Sequence, residues 1–379
     1  MADVDLPGSS YMRGPKSGRT ASRLTRLVAS PGFQKWAARF PLTRRIVRRE
    51  GEAMFDLVAG FCHSQILQAL VKLGIPDLLL AQEMSAAALA GKLDVPPDRM
   101  KVLLSGAVSL GLLKQRKAGD YALTVRGAAL AGVPGLAGMI AHHDVLYRDL
   151  ADPVAFFRGE VQTELADFWP YVFGAGGATD PNVTATYSQL MSDSQGLVAA
   201  DTLAAVDLSG VTHLMDVGGG TGAFLAAVAD AYPSLPLTLF DLPAVVPAAR
   251  ARFDGMAHVT VAPGSFRDDP LPQGADMISL VRVLYDHADD TVLALLRATF
   301  AALPPGGRIL ISEPMTGGKV PERAGDAYFA LYCMAMRTGC ARSPEQVSGL
   351  LKQAGFQAIK RPVPARPFVT SVVQGVKQS

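Results

Sequence analysis

The sequence has 379 residues, of which 49% are hydrophobic and 18% charged, a composition that excludes a disordered chain and suffices for two domains. Its three cysteines (Cys62, Cys333 and Cys340) are too few and scattered for a disulfide framework, and no His/Cys/Asp cluster has metal-ligand spacing, so reduced thiols and no metal are expected. The net charge of +2 does not indicate nucleic acid, and no apolar run approaches the ~20 residues that span a bilayer, which favours a cytoplasmic protein.

Residues 1–50 form a basic arm, in which eleven Lys or Arg before residue 50 are balanced only by Asp3 and Asp5. Residues 1–20 are rich in Gly, Ser and Pro, which predicts disorder. In residues 21–50, basic and apolar positions alternate at a spacing typical of short amphipathic helices. Such helices serve either for packing in a dimer or for peripheral contact with the anionic lipid of a membrane, and both interpretations stay open.

Residues 51–135 are predicted to form a mainly α domain. Apolar residues recur at helical spacing from Phe55, and two helices joined by a turn precede a small hairpin within residues 114–124. A helix-turn-helix followed by a hairpin is typical of a winged helix. The second helix carries only Arg99 and Lys101 near its start, whereas a DNA-recognition helix needs a polar, basic outer face. We therefore expect no nucleic-acid partner.

Residues 136–205 have helical character, and their apolar residues line either a ligand pocket or ordinary core. The apolar residues that line either this pocket or ordinary core are Met139, Ile140, Phe156, Phe157, Phe168, Trp169, Phe173 and Met191. The pair His142–His143 either lines the same pocket or is packed, and residues 329–336 are a second candidate wall.

From His213 onward, short β-branched runs alternate with longer helical stretches. The runs are His213–Val217, Leu237–Phe240, Val259–Val261, Met277–Leu280 and Arg308–Ser312. This alternation predicts an α/β domain over residues 206–379, with a Rossmann-like parallel sheet and helices on both faces. Ligands of such sheets bind beyond the carboxyl ends of the strands, where the strand order reverses.

The first of these strands leads into Asp216-Val-Gly-Gly-Gly-Thr-Gly222 and then into a helix predicted from Ala223 to Ala231. Glycines let the backbone turn tightly and approach a ligand without Cβ atoms in the way. The acid two residues before Gly218 can meet a cationic aminoacyl group and would repel a pyrophosphate. The spacing Asp-x-Gly-x-Gly-x-Gly is therefore typical of a methyltransferase rather than of a dinucleotide enzyme.

Further segments follow at the ends of the next strands. Asp241 lies about 20 residues beyond the glycines, where its two oxygens can accept ribose hydroxyls or cap the following helix. Gly264-Ser265-Phe266 follows the third strand, Arg282 to His287 the fourth, and Glu313 ends the fifth. Together, the order and spacing of these pieces indicate a site for S-adenosylmethionine.

On these motifs the sequence resembles the large O-methyltransferase family that includes plant caffeate enzymes, acetylserotonin methyltransferase and bacterial polyketide methyltransferases. The resemblance runs from about Phe55 to the end and implies a winged-helix dimerisation domain before a Rossmann-like catalytic domain. The segments Arg-Glu-Gly-Glu-Ala-Met-Phe-Asp, from Arg49, and Arg-Val-Leu-Tyr-Asp-His, from Arg282, resemble the carotenoid enzymes of purple phototrophic bacteria, the hydroxyneurosporene or demethylspheroidene O-methyltransferases.

That closer resemblance implies the tertiary C1 hydroxyl of a hydroxylated acyclic carotenoid as the acceptor. The alternatives are a bacteriochlorophyllide, an aromatic or polyketide acceptor, and a family member that binds S-adenosylmethionine without transferring methyl. The resemblance also implies a homodimer, a hydrophobic small-molecule acceptor and no metal.

The family pattern implies a set of cofactor-binding residues. These are Asp216, Gly218 and Gly220 at the methionine part, Asp241 at the ribose with Leu242 beside it, Ser265 and Phe266 at the adenine edge, and Arg282 near the cofactor. Family members usually read Gly-Asp-Phe at the adenine edge, so Ser265 would meet an adenine amine without charge.

Catalysis is where the sequence departs from the family. Relatives commonly read Leu-His-Asp-Trp, with the histidine as base, whereas here Leu284-Tyr-Asp-His287 places a tyrosine at that position. The candidates for accepting the proton or orienting the hydroxyl are Tyr285, Asp286, His287 and Glu313, each with a structural role as the alternative. A tertiary alcohol is too weakly acidic to ionise before attack, so proton transfer is expected to be late or concerted, and a dedicated base is not required.

Overall fold

The computed structural model describes residues 22–168 and 181–378, except for the side chains of residues 167, 168, 181–191 and 193. The expectations for residues 1–20 and for the side chains of Phe168, Trp169, Phe173 and Met191 lie outside this description. The chain divides into two compact units between Ile66 and Leu67. Residues from Leu67 onward form one unit, so the boundaries proposed at residues 135 and 205 lie inside it.

The first unit consists of α1 (Arg23–Val28), α2 (Pro31–Arg39) and the part of α3 (Arg44–Lys72) up to Ile66. Ser22 and Ser30 cap α1 and α2, because each side chain accepts a backbone N–H from the first turn. Pro31 fits the first position of α2, where its missing N–H would have had no helical partner. The short helices predicted for residues 21–50 are therefore confirmed for α1 and α2, whereas residues 44–50 begin the long α3.

The 29-residue α3 contains an apolar stretch with a mean hydropathy of 1.3, enough by length and composition to cross a membrane. The expectation that no segment qualifies is therefore wrong. The helix also carries Asp56, and its Gln68 donates to Asp144 at 2.7 Å. Because only 11% of the apolar stretch is buried, most of its surface is available to a partner.

The second unit begins with the end of α3 and a series of helices interrupted by a hairpin. Its elements are α4 (Ile75–Ala81), α5 (Ala86–Leu93), α6 (Pro97–Ser109), β1 (Leu113–Gln115), β2 (Tyr121–Leu123), α7 (Val125–Gly132), α8 (Leu136–Asp149), α9 (Pro153–Phe157), α10 (Glu164–Phe168) and α11 (Pro181–Ala205). The predicted hairpin is confirmed, since β1 and β2 pair antiparallel with Leu113 opposite Leu123. The elements α5, α6, β1 and β2 follow in the order of a winged helix, and that assignment stays a prediction.

The rest of the chain builds the sheet and its covering helices. The elements are β3 (Leu214–Val217), α12 (Ala223–Ala231), β4 (Leu237–Asp241), α13 (Val246–Arg252), β5 (Val259–Pro263), β6 (Met277–Val281), a 3-10 turn (Leu284–Asp286), α14 (Asp289–Ala302), β7 (Arg308–Glu313), a π-helical segment (Arg323–Phe329), α15 (Ala330–Met336), α16 (Pro344–Gln353), β8 (Gln357–Lys360) and β9 (Ser371–Val376). The five predicted strands and the helix from Ala223 to Ala231 are all present.

In the described chain, seven strands form one sheet in the order β5-β4-β3-β6-β7-β9-β8. The five predicted strands, β3 to β7, run parallel to one another, whereas β9 runs antiparallel to both β7 and β8. The parallel arrangement predicted for those five strands is confirmed, and the sheet is mixed because β8 and β9, which were not predicted, extend one edge. Strand β8 has mostly exposed side chains, so its sequence lacks the apolar run that marked the five central strands.

Successive side chains of the central strands enter two different cores, one on each face of the sheet. Leu214 packs with residues of α11, α12 and α13, whereas its neighbour Met215 packs with residues of α14 and α16. The predicted helices on both faces are confirmed. The strand order reverses between β3 and β6, which places the expected ligand crevice beyond the carboxyl ends of these two strands.

Candidate active site

The glycine turn, residues 218–222, joins β3 to α12 at this crevice. Gly218 has φ +72° and Gly220 has φ +59°, backbone conformations that residues with a Cβ rarely adopt. A Cβ on Gly218 would also lie 2.9 Å from the side chain of Val283, whereas the position of a Cβ on Gly220 is open space. The turn therefore lets a ligand approach the backbone closely at Gly220.

Asp216 lies on β3 and is 1% exposed. Its Oδ1 accepts the Ser279 hydroxyl of β6 at 2.6 Å, and its Oδ2, which lies 2.8 Å from a Cβ built on Gly219, has no hydrogen-bond partner in the described chain. Burial raises the pKa of Asp216 to about 7, with the Ser279 hydrogen bond opposing the shift and the charge of Asp241 adding to it. Leaving a buried acceptor unpaired is costly, and a cationic group at the glycine turn would remove that cost.

Asp241 ends β4 and ties the second strand to the glycine turn. Its Oδ2 accepts the backbone N–H of Gly220 at 2.6 Å, and its Oδ1 accepts the N–H of Leu242 at the same distance. Burial raises the pKa of Asp241, and these two backbone donors oppose the shift. Each oxygen keeps a second lone pair, so the carboxylate can still accept two hydroxyls.

The segment after β5 forms a tight turn at the proposed adenine edge. The Ser265 hydroxyl donates to Asp268 at 2.8 Å, and its backbone N–H donates to Asp269. Because the hydroxyl proton is used inside the turn, Ser265 can only accept a further hydrogen bond. Phe266 is partly buried and packs edge-on against His287, with ring centroids 5.3 Å apart.

His287 is 7% exposed and lies beside the segment after β5. Its Nδ1 accepts from the guanidinium of Arg267 at 3.1 Å, which places the proton of the neutral ring on Nε2. Burial, with the charges of Arg267 and Arg342, lowers the pKa of His287 to about 4. These contacts hold the ring in place at the proposed adenine edge. They support the alternative in which His287 has a structural role.

Arg282 follows β6 with φ +59°, an uncommon conformation for a residue with a side chain. Its guanidinium donates to Ser194 at 2.8 Å and to Gln195 at 3.4 Å on α11, and it hydrogen-bonds Tyr285. Burial raises the pKa of Tyr285, which is 4% exposed, so its hydroxyl stays protonated. The tyrosine at the family's histidine position can therefore orient a group but is poorly suited to act as a base.

Glu313 ends β7, and its carboxylate accepts hydrogen bonds from the backbone of the 3-10 turn. Its Oε2 accepts the backbone N–H groups of Leu284 at 2.9 Å and Tyr285 at 3.2 Å. The side chain is fully buried, and burial raises its pKa to about 7, opposed by Arg342 and by the backbone donors. These contacts give Glu313 a structural role, which was the alternative interpretation of its position.

Arg342, which the sequence analysis did not single out, holds the same turn from the carbonyl side. This guanidinium is 2% exposed and donates to the carbonyl oxygens of Leu284 at 2.9 Å and His287 at 2.8 Å. It also pairs with Asp289 at 2.6 Å. A lone arginine in a loop gives no sequence signal for this role, because its partners lie more than 50 residues earlier in the chain.

Asp286 lies on the turn that Glu313 and Arg342 hold. Its Oδ1 is buried and has no hydrogen-bond partner among the residues that the structure describes. Burial raises the pKa of Asp286 well above its usual value, Arg282 opposes the shift, and Glu313 adds to it. Glu313 also has one oxygen, Oε1, without a partner in the described chain, but its other oxygen accepts two backbone N–H groups of the turn. Asp286 is therefore the candidate carboxyl that is not used to hold the turn.

The arrangement fits S-adenosylmethionine. The unpaired Oδ2 of Asp216 suits an ammonium group, the open space at Gly220 suits close backbone approach, and Asp241 suits a pair of hydroxyls. Within residues 22–168 and 181–378, no group of three or more His, Cys, Asp or Glu is placed to hold a metal ion.

Comparison with known families gives two matches. Residues 55–132 match the O-methyltransferase dimerisation domain, and residues 147–357 match the O-methyltransferase domain. Human N-acetylserotonin methyltransferase, solved in complex with S-adenosylmethionine, is 26% identical with a TM-score of 0.73, over 87% of this chain and 98% of its own.

Two curated relatives are more similar in sequence. The demethylspheroidene O-methyltransferase of Cereibacter sphaeroides is 56% identical over 98% of this chain and 99% of its own length. The enzyme of the same name from Rhodobacter capsulatus is 51% identical over 97% of this chain and 93% of its own. The chain therefore belongs to the S-adenosylmethionine-dependent O-methyltransferase family.

Proposed function

We propose that the chain methylates the tertiary hydroxyl of an acyclic carotenoid such as demethylspheroidene or hydroxyneurosporene. The observation that carries this proposal is the identity of 56% and 51% to two enzymes named for demethylspheroidene. The match to the first of these enzymes covers 98% of the chain. It therefore includes most of the basic arm, which precedes the family's dimerisation domain at residue 55. The arm is thus shared with the carotenoid enzymes.

Bound S-adenosylmethionine would supply a methyl group on a positively charged sulfur. The acceptor oxygen forms the new C–O bond as the C–S bond breaks, the bonding pair stays on sulfur, and the hydroxyl proton passes to the carboxylate of Asp286. Its raised pKa makes this carboxylate a better match for an alcohol proton than an ordinary aspartate would be. Arg282 favours the ionised form that must be present before transfer.

The residues around Asp286 serve mainly to position the reactants. Orientation alone supplies up to about 7–11 kcal/mol in favourable intramolecular models. Glu313 and Arg342 hold the backbone of the Asp286 turn from opposite sides, which limits the freedom of its carboxyl group. This support explains why a family member without the usual histidine can still be catalytically competent with an alcohol.

Product analysis tests the acceptor. Purified protein would be incubated with labelled S-adenosylmethionine and, separately, a hydroxylated acyclic carotenoid in detergent, a bacteriochlorophyllide and a phenol. We expect label only in the methyl ether of the carotenoid. Label in another acceptor, or in none, would refute the proposed substrate.

Asp286→Asn tests the proton acceptor. We expect turnover to fall about 100-fold or more, the usual contribution of a positioned base, with donor affinity unchanged by calorimetry. Asp290→Asn, at an exposed aspartate four residues later, is the control and should keep parental turnover. Equal turnover in the two variants would exclude Asp286 from proton transfer.

The same proposal includes a homodimer. Five of the exposed apolar side chains of α3 recur at helical spacing, and they are Met54, Phe55, Leu57, Val58 and Phe61, each more than half exposed. All but Met54 lie at the start of the matched dimerisation domain, and burying such a face would contribute roughly 25 cal/mol per Å². Light scattering of Phe61→Asp should give half the parental mass, and an unchanged mass would exclude this face.

We also infer that a cytoplasmic protein of this kind contacts anionic lipid through its arm. Residues 22–49 contain eight Lys or Arg and no Asp or Glu. Trp36 is 51% exposed and stacks on Phe40 with ring centroids 4.8 Å apart. Basic charge beside exposed aromatic rings is typical of helices that lie in a membrane interface, where the substrate of a carotenoid enzyme would also dissolve.

Vesicle co-sedimentation tests this contact. The parent should bind phosphatidylglycerol vesicles and not phosphatidylcholine vesicles, and Arg44→Glu/Arg45→Glu should bind more weakly. Arg250→Glu/Arg297→Glu, which changes the net charge equally at exposed sites elsewhere, should bind as the parent does. Equal loss in both pairs, or binding by a protein lacking residues 1–45, would contradict the inference.

A further inference from the structure

Two histidine–tyrosine pairs connect α8 to α15 and to the π-helical segment that precedes it. His142 Nε2 lies 3.0 Å from the hydroxyl of Tyr332, and His143 Nε2 lies 2.7 Å from the hydroxyl of Tyr328. Burial lowers the pKa of His142 to about 4 and also lowers that of His143, so both rings are neutral near pH 7. Each pair is therefore an uncharged hydrogen bond between two well-packed rings.

The Tyr332 pair lies beside the Asp286 turn. Cys333, next to Tyr332, contacts the Tyr285 carbonyl with its Sγ at 3.8 Å, and Cys340 donates its N–H to the same oxygen at 2.9 Å. Helix α15, which carries Tyr332 and Cys333, therefore packs against the turn that contains Asp286.

The ring of Tyr332 belongs to an apolar cluster. Its buried neighbours are Leu146, Phe156, Leu165, Ala335 and Met336. An apolar cluster that ends in a few hydroxyl and imidazole groups suits a long hydrocarbon with one terminal hydroxyl. The apolar side chains would contact the hydrocarbon, and the few polar groups would fix the orientation of the hydroxyl.

We propose that the Tyr332–His142 pair positions the acceptor hydroxyl against Asp286. His142 fixes the rotation of the Tyr332 side chain, and the Tyr332 hydroxyl hydrogen-bonds the acceptor oxygen while the acceptor proton faces the carboxylate. The pair is a positioning element and selects acceptors that carry a hydroxyl. This proposal rests on the proposed function, since it requires methyl transfer to an alcohol.

Tyr332→Phe is the main test. We expect turnover with the hydroxylated carotenoid to fall about 10- to 100-fold, with donor affinity unchanged. The parent should also bind the hydroxylated carotenoid at least about tenfold more tightly than the same hydrocarbon without the hydroxyl, since a site built around a polar group rejects the analogue that lacks it. In Tyr332→Phe this preference should fall toward one, an effect that loss of packing alone would not produce.

His142→Gln and His142→Leu supply a second test that does not depend on Tyr332→Phe folding. Glutamine can keep a hydrogen bond to the Tyr332 hydroxyl, so it should retain more turnover and preference than leucine. Tyr121→Phe, at a buried tyrosine of β2, is the control. Parental turnover and preference in both Tyr332→Phe and His142→Leu would overturn the proposal, whereas failure of the parent to methylate any alcohol would refute the proposed function itself.

Discussion

The proposed donor half of the site, Asp216 to Gly222 with Asp241, is built differently from the proposed acceptor half, the turn around Asp286 with Tyr332 and His142. The donor half comes from one strand–turn–helix and the tip of the next strand, and the hydrogen bond from Gly220 to Asp241 joins them directly. The acceptor half is assembled from β6, β7, α8, α15 and the loop that carries Arg342. Local backbone geometry defines the first half, and distant side chains fix the second.

This difference indicates which half restricts its residue types more strictly. The donor half needs glycines at positive φ and two carboxylates, so few residue types can replace its members. In the proposed acceptor half, a tyrosine stands where the family resemblance implies a histidine, while Glu313 and Arg342 keep the backbone of the turn in place. The support is separate from the reacting group, so the reacting group can vary.

Removing Arg342 should produce the largest loss of stability. It also tests whether the donor half and the acceptor half are separate. Arg342→Met is expected to lower the free energy of unfolding by about 3–5 kcal/mol, because buried carbonyls and Glu313 lose their cationic partner. Urea denaturation measures this loss. In the folded fraction, turnover should fall while calorimetric donor affinity stays parental.

The control for that experiment is Arg361→Met, whose guanidinium is 41% exposed and pairs with Glu345 at the surface. Exposed pairs contribute about 0–1 kcal/mol, so this variant should remain close to the parent. A donor affinity in Arg342→Met that falls as far as turnover would show that the acceptor half also shapes the donor half.

The donor half is expected to depend most on Asp241. Asp241→Ala should weaken binding of S-adenosylmethionine about 100-fold, because hydrogen bonds to a charged group contribute about 1.5–3 kcal/mol each. Calorimetry measures the affinity, and Asp254→Ala, at an exposed aspartate, should match the parent. Parental affinity in Asp241→Ala would remove the basis of the donor half.

Two glycine variants in the donor half distinguish the effect of steric contact from the effect of backbone conformation. Both Gly218→Ala and Gly220→Ala meet a left-handed backbone, which costs about 1–2 kcal/mol, but only Gly218→Ala also forces a Cβ against Val283. Thermal denaturation should therefore show the larger loss for Gly218→Ala, with partial recovery in combination with Val283→Ala. Equal losses that Val283→Ala does not change would contradict the close contact.

The smallest expected effect is a fractional proton released when the donor binds. Asp216 has a pKa of about 7 in the free protein, and a neighbouring ammonium group would favour its ionised form, so at pH 6.5 binding should release roughly half a proton or more. Calorimetry in buffers of different ionisation enthalpy measures this number. Asp216→Asn should reduce it to near zero, and an equal release in both proteins would show that Asp216 does not face the donor.

The raised pKa of Asp216 also determines the direction in which the stability of the free protein changes with pH. A carboxyl whose folded pKa lies above its unfolded value binds more protons when folded between about pH 4 and 7. Its contribution to stability is therefore lost as pH rises through that range. Asp216→Asn should flatten this part of the pH profile, as urea denaturation across the range would show.

The sequence by itself determined the parallel strands, the glycine turn and the positions of Asp216 and Asp241, because apolar runs, glycines and strand-end acids are local signals that act over a few residues. It also predicted the hairpin at residues 114–124, although it missed β9 and also β8, whose exposed side chains leave no apolar run. The tertiary structure alone decided the roles of Tyr285, His287 and Glu313 and revealed Arg342. Their burial, charges and hydrogen bonds depend on partners brought together by folding, and no spacing along the chain encodes such contacts.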